Sequence, residues 1–112
     1  MRILQVNTEK TWRGGERQTL YTVESLISQG VDCQLMALKG SLMHQRATAM
    51  GISIITVENM IDTLKKLSNL KEKFDVIHAQ TGKAHTQCVL TKVFHKTPVV
   101  YTRRVDFVPS GF

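Results

Sequence analysis

Short apolar runs and amphipathic segments alternate along the chain. Residues 2–7 (RILQVN) form a β-rich run ended by polar residues. Residues 16–29 follow with Leu20, Val23, Leu26 and Ile27 at helical spacing, closed by Gly30. The unit then repeats, with a second strand over residues 31–38 (VDCQLMAL), a short helix over 41–50 stopped by Gly51, and a third strand over 52–57 (ISIITV). Met60, Ile61, Leu64, Leu67, Leu70 and Phe74 mark a longer amphipathic helix. Residues 75–79 (DVIHA) give a fourth strand bounded by Gly82, and a helix over about 83–95 leads to a fifth strand over 98–102.

Strands that alternate with helices, and that are apolar on both faces, predict an α/β fold with helices on each side of a parallel sheet. The expected architecture is a Rossmann-like doubly wound sheet of about five strands in the order 3-2-1-4-5. Residues 106–112 read as a loop leaving the last strand with no closing helix. That ending is unusual for a complete doubly wound domain, so the chain reads as an incomplete one.

The length of 112 residues and 42% hydrophobic content fit one domain. No apolar run approaches the roughly 18 residues of a membrane span, and residues 3–6 are too short for a secretory signal. The expected location is the cytoplasm. Cys33 and Cys88 lie far apart among apolar neighbours, which predicts buried, reduced thiols. A net charge of +6 raises a nucleic-acid reading. The cations are dispersed, however, and the run Lys65, Lys66, Lys71, Lys73 reads as the solvated face of one helix. Nucleic acid is not the expected partner.

In open α/β sheets, ligands bind outside the carboxyl ends of the strands. Seven of the 15 basic residues fall in or beside the loops there: Lys10, Arg13, Arg17, Lys39, Lys83, Arg103 and Arg104. They point to an anionic or phosphorylated ligand, set against the general richness of loops in charge. In the first loop Gly14-Gly15 permits close backbone approach, and the helix beginning there aims unpaired N–H groups outward. A glycine pair also serves plain turns. Glu16 is equally a partner of the helix dipole or of a ligand, and Trp12 either a ligand platform or a cap over the core.

Other chemistries lack their residues. G-x-G-x-x-G is absent, and the second strand ends in Leu38-Lys39-Gly40 where a dinucleotide site would place an acidic residue. There is no P-loop, no nucleophile elbow, and no metal-ligand spacing among His44, His78, His85 and His95. His78 reads as a core histidine inside a strand, whereas His85 opens a helix near the ligand edge.

The segment Trp12-Arg13-Gly14-Gly15-Glu16-Arg17-Gln18 resembles the W-x-G-G-E-x-Q opening of family-4 glycosyltransferases of the GT-B fold. Gly40-Ser41 with Arg46-Ala47 and Gly51-Ile52, then Asp75-Val76-Ile77-His78-Ala79-Gln80, and Tyr101-Thr102-Arg103-Arg104-Val105-Asp106-Phe107 resemble later segments of the same family in the same order. The resemblance implies a retaining, two-domain enzyme that moves a sugar from a nucleotide-sugar to an acceptor without an essential metal or cofactor. It places Gly14 and Gly15 toward the donor diphosphate, and Arg13, Arg17, His85, Arg103 and Arg104 on the acceptor side. Arg103 stands where many relatives carry a histidine near the reacting sugar, so no catalytic residue is assigned.

Nothing in the 112 residues corresponds to the donor domain. The expectation is therefore a truncated acceptor-side domain, inactive alone. Its partners would be a glycan or glycolipid acceptor and a missing C-terminal donor domain or split partner, with peripheral contact at the inner face of the cytoplasmic membrane. The alternative is a free-standing Rossmann-like module that binds a phosphorylated ligand or a partner protein.

Overall fold

A computed structural model of the chain describes residues 1–10, 14–70 and 73–101. Its elements run β1 (Arg2–Asn7), α1 (Gly14–Ser28), β2 (Asp32–Leu38), α2 (Leu42–Ala49), β3 (Ile54–Val57), α3 (Met60–Ser68), β4 (Val76–Ala79), α4 (Gly82–Leu90), α5 (Lys92–His95) and β5 (Val99–Tyr101). The five strands form one sheet in the order β3-β2-β1-β4-β5, every neighbouring pair parallel. This is the doubly wound order expected from the alternation of strands and helices. The order reverses between β1 and β4, and that reversal opens the crevice where ligands bind in such sheets.

The two-residue period of a strand sends alternate side chains to opposite faces, and the helices divide accordingly. Leu4 and Val6 of β1 join Met36, Val57, Ile77, Leu67 and Cys88 in a core on the α3–α4 face. Ile3 packs with Cys33, Leu35, Leu20, Val23 and Met43 on the α1–α2 face. β1 is thus covered on both sides, and even its polar Gln5 and Asn7 are buried.

Local signals set the helix ends. Gly30 (φ 85°) and Gly51 (φ 76°) adopt the left-handed conformation after α1 and α2. At each, the following N–H folds back over the last turn: Val31 N–H donates to Leu26 O and Ile52 N–H to Ala47 O, both at 3.0 Å. Ile52 therefore belongs to a helix cap, and the third strand starts at Ile54 rather than at residue 52. The helix expected over residues 60–74 stops at Ser68, although Leu70 and Phe74 still pack on the core. The helix expected over 83–95 is two helices: at Thr91 the Oγ1 hydroxyl donates to the Gln87 and Cys88 carbonyls (2.8 and 3.2 Å), and α5 ends in left-handed Lys96 (φ 53°).

Both cysteines are buried and free. Burial, with Asp32 adding to it, pushes the Cys33 thiol up to about 11, and burial pushes Cys88 up to about 12. These thiols stay protonated and unreactive near neutral pH. Among the described residues no helix is long and apolar enough to cross a membrane. The lysine run is divided. Lys65 is exposed, Lys66 reaches back to the Thr56 carbonyl and lies 3.4 Å from Asp62, and Lys73 is exposed beyond the helix. Lys71 lies outside the described residues.

Candidate functional site

The carboxyl edge of the sheet is built by short polar residues that terminate the strands. Asn7, fully buried at the end of β1, uses both ends of its amide. Nδ2 donates to Thr19 Oγ1 of α1 (3.0 Å), and Oδ1 accepts the Glu9 N–H (3.2 Å). This pins the exit of β1 to the first turns of α1 and fixes where the glycine-led helix begins. Across the switch point the Gln80 N–H donates to Val6 O (3.0 Å), extending the β1–β4 ladder past the end of β4. Thr81 then caps α4 by accepting the Ala84 N–H (3.0 Å). Asn59 caps α3 in the same way through the Asp62 N–H (2.8 Å). Asp62 in turn accepts the Glu58 N–H, which with the neighbouring Lys66 and Lys65 holds its carboxyl below the usual range.

The N-termini of α1, α2, α3 and α4, each following a strand of the parallel sheet, therefore open onto this edge, and the positive ends of their dipoles bias it toward anions. Between α3, α4 and the end of β1 lies a cleft of about 170 Å³. Thr8, Lys10, Glu58, Asn59, Lys83 and Gln87 supply its polar walls, and Leu38, Met60 and Thr63 complete the lining. Glu58 is 3.9 Å from Lys39, both side chains well exposed. Among the described residues no three His, Cys, Asp or Glu side chains are grouped to hold a metal ion.

The residues singled out in the sequence fall into three sets. Gly14 and Gly15 are the first two residues of α1, at the carboxyl end of β1. Glu16, in the same turn, is buried. Arg17 lines a groove between α1 and α2 with Tyr21 and Arg46. His85 is on α4, and its ring stacks on Tyr101 at the end of β5, with centroids 4.5 Å apart and planes 9° from parallel. Because α1 and α4 cover opposite faces of the sheet, Arg17 and His85 do not meet. Trp12, Arg13, Arg103 and Arg104 lie outside the described residues. His78 is half-buried inside β4, its Nδ1 3.3 Å from Gln80 Nε2, as a strand histidine held by polar neighbours.

Gln87 went unnoticed in the sequence, although a signal was there. Ala84, Gln87 and Cys88 share the buried stripe of α4 at helical spacing, and a glutamine on an apolar stripe marks a buried amide that needs a partner.

Comparison with protein-family models and with curated proteins finds no match. Solved structures do match. HepE from Anabaena, in complex with UDP and glucose, superposes with a TM-score of 0.77 at 16% identity, over 100% of this chain and 32% of that one. MurG from Acinetobacter baumannii superposes with a TM-score of 0.66 at 12% identity, over 89% of this chain and 34% of that one. Saccharopine dehydrogenase from Saccharomyces cerevisiae reaches 0.55 at 16% identity, over 97% of this chain and 22% of that one. A dehydrogenase among the matches shows that this sheet order alone selects no chemistry. The chain spans about a third of the length of HepE and MurG, and its fold is the Rossmann-like parallel α/β arrangement found as part of those GT-B glycosyltransferases.

Proposed function

We propose that the chain is the N-terminal, acceptor-side portion of a retaining, family-4-type glycosyltransferase that moves a sugar from a nucleotide-sugar to a glycan or glycolipid. The carrying observation is a coincidence of motif and place: the Gly14-Gly15-Glu16 segment opens α1 at the carboxyl end of β1, beside the switch point, in a fold whose solved likeness HepE was captured with UDP and glucose. The positive end of the α1 dipole suits a leaving diphosphate, whose charge grows as the glycosidic bond breaks. The donor-gripping half would lie outside these residues, in a C-terminal donor domain or on a split partner.

The test is amide NMR of the chain with UDP. Signals of Gly14 to Arg17 are expected to shift at lower UDP concentration than those of Lys65 and Lys66. If the α3 lysines respond first, or RNA binds more tightly than UDP with a steep salt dependence, a nucleic-acid role replaces this one.

Contact with an anionic membrane surface belongs to the same proposal. Val89, Leu90, Val93 and Phe94 are 50 to 70% exposed and lie three and four residues apart across α4 and α5, where they form an apolar stripe. Lys83, Lys92 and Lys96 accompany them, and no Asp or Glu occurs between residues 76 and 105. An apolar stripe on helices that carry cations and no acid matches an anionic lipid surface. Vesicles of phosphatidylglycerol and phosphatidylcholine should therefore retain the protein, and Phe94→Ser should weaken retention about tenfold, since burying one such side chain is worth about 1.5 kcal/mol or more. Equal binding to pure phosphatidylcholine, or concentration-dependent dimerisation that Phe94→Ser abolishes, would refute the membrane assignment.

A further inference from the structure

Gln87 is 3% exposed. Its Oε1 lies 3.3 Å from Thr8 Oγ1, while its Nε2 has no hydrogen-bond partner. Turning the amide over would exchange donor and acceptor and still leave one end alone. A buried amide is normally satisfied at both ends, because nothing repays the water stripped from it otherwise. The side chain lines the 170 Å³ cleft at the carboxyl edge, a space about tenfold larger than the ~10–15 Å³ a single water needs. The cleft is also smaller than the roughly 300–1,000 Å³ of a drug-sized ligand site. One small ring fits between those limits.

The walls specify the ring's chemistry. Lys10 and Lys83 both line the cleft, and α4, with no acidic residue in its first turn, adds the positive end of its dipole. Among the described residues of the lining the one carboxylate is Glu58, and it has Lys39 beside it. Leu38 and Met60 offer an apolar surface suited to the C–H face of a pyranose, while Gln87, Thr8 and Asn59 offer polar atoms to its hydroxyls. We infer that this cleft binds one anionic sugar ring. Its phosphate or carboxylate lies between Lys10 and Lys83, and a ring hydroxyl oxygen accepts from Gln87 Nε2. The inference rests on the glycosyltransferase reading in that the ring is then part of the acceptor.

The experiment follows the Gln87 side-chain NH2 signals of the 112-residue chain with four probes: glucose 6-phosphate, glucuronate, glucose and inorganic phosphate. The first two are expected to shift those signals at least tenfold more tightly than glucose, and inorganic phosphate to leave them in place. Gln87→Met should lose about tenfold in affinity for both anionic sugars at an unchanged or higher melting temperature, because the lone buried amide is gone. Lys83→Gln, at an exposed position, should bring them down to the level of glucose.

A Gln87 signal that no anionic sugar moves, equal binding of glucose, or undiminished binding by Gln87→Met would overturn the inference. UDP shifts at Gly14 to Arg17 with no sugar response at Gln87 would remove this site and leave the broader reading standing. Sugar shifts at Gln87 without any UDP response would do the reverse.

Discussion

Purified as the 112-residue chain, the protein is expected to release no UDP from UDP-glucose above a Gly15→Trp control. The described edge offers helix N-termini, cations and one small cleft, which can touch a donor from one side. Glycosyl transfer needs donor and acceptor held together in attack geometry. Such orientation contributes about 7–11 kcal/mol, so its loss slows the reaction by roughly five orders of magnitude or more. HepE, the structure captured with UDP and glucose, is about three times as long, this chain covering 32% of it. Turnover of UDP-glucose above the control would show that one side of the cleft suffices. The chain would then be an enzyme in its own right.

The second large effect concerns stability. Leu4→Ala is expected to cost about 3 kcal/mol, near the middle of the range for removing a buried leucine side chain. Leu4 has no exposed surface and sits on the central strand, paired with Gln34 of β2 and Ile77 of β4. Neither neighbour can move into the space left behind, because both are held by backbone ladders. Against a total stability of about 5–15 kcal/mol, the loss should lower the urea midpoint sharply. Leu90→Ala, at a position 64% exposed, should change it by less than about 0.5 kcal/mol. Similar losses at both positions would mean that the α4 surface, not the sheet centre, carries the fold.

Much of this architecture is legible in one dimension. Alternating strand and helix periods, with strands apolar on both faces, lead to a parallel doubly wound sheet, and the observed order β3-β2-β1-β4-β5 is the expected one of the two orders common in that class. Gly30 and Gly51 announce helix ends by the left-handed backbone they alone adopt cheaply, and both stand where α1 and α2 finish. Periodicity misjudged lengths where a local hydrogen bond competed with it. The helix of residues 83–95 divides at Thr91, and the cap over Ala47 takes Ile52 from its strand.

The candidate site divides along the same physical line. The glycine-led start of α1 was readable because a turn, a glycine pair and a helix N-terminus are consecutive in the chain. The grouping of Arg17 with His85 was not decided there. Which face a helix covers depends on how the crossovers wind, and α1 and α4 lie on opposite faces. The cleft around Gln87 draws on residues from Thr8 to Gln87, carried by β1, the ends of β2 and β3, α3 and α4. Spacing along a chain records only neighbours within a few residues. The lone amide end of Gln87 became visible only once folding had excluded water from it and set the side chain in the wall of a cleft.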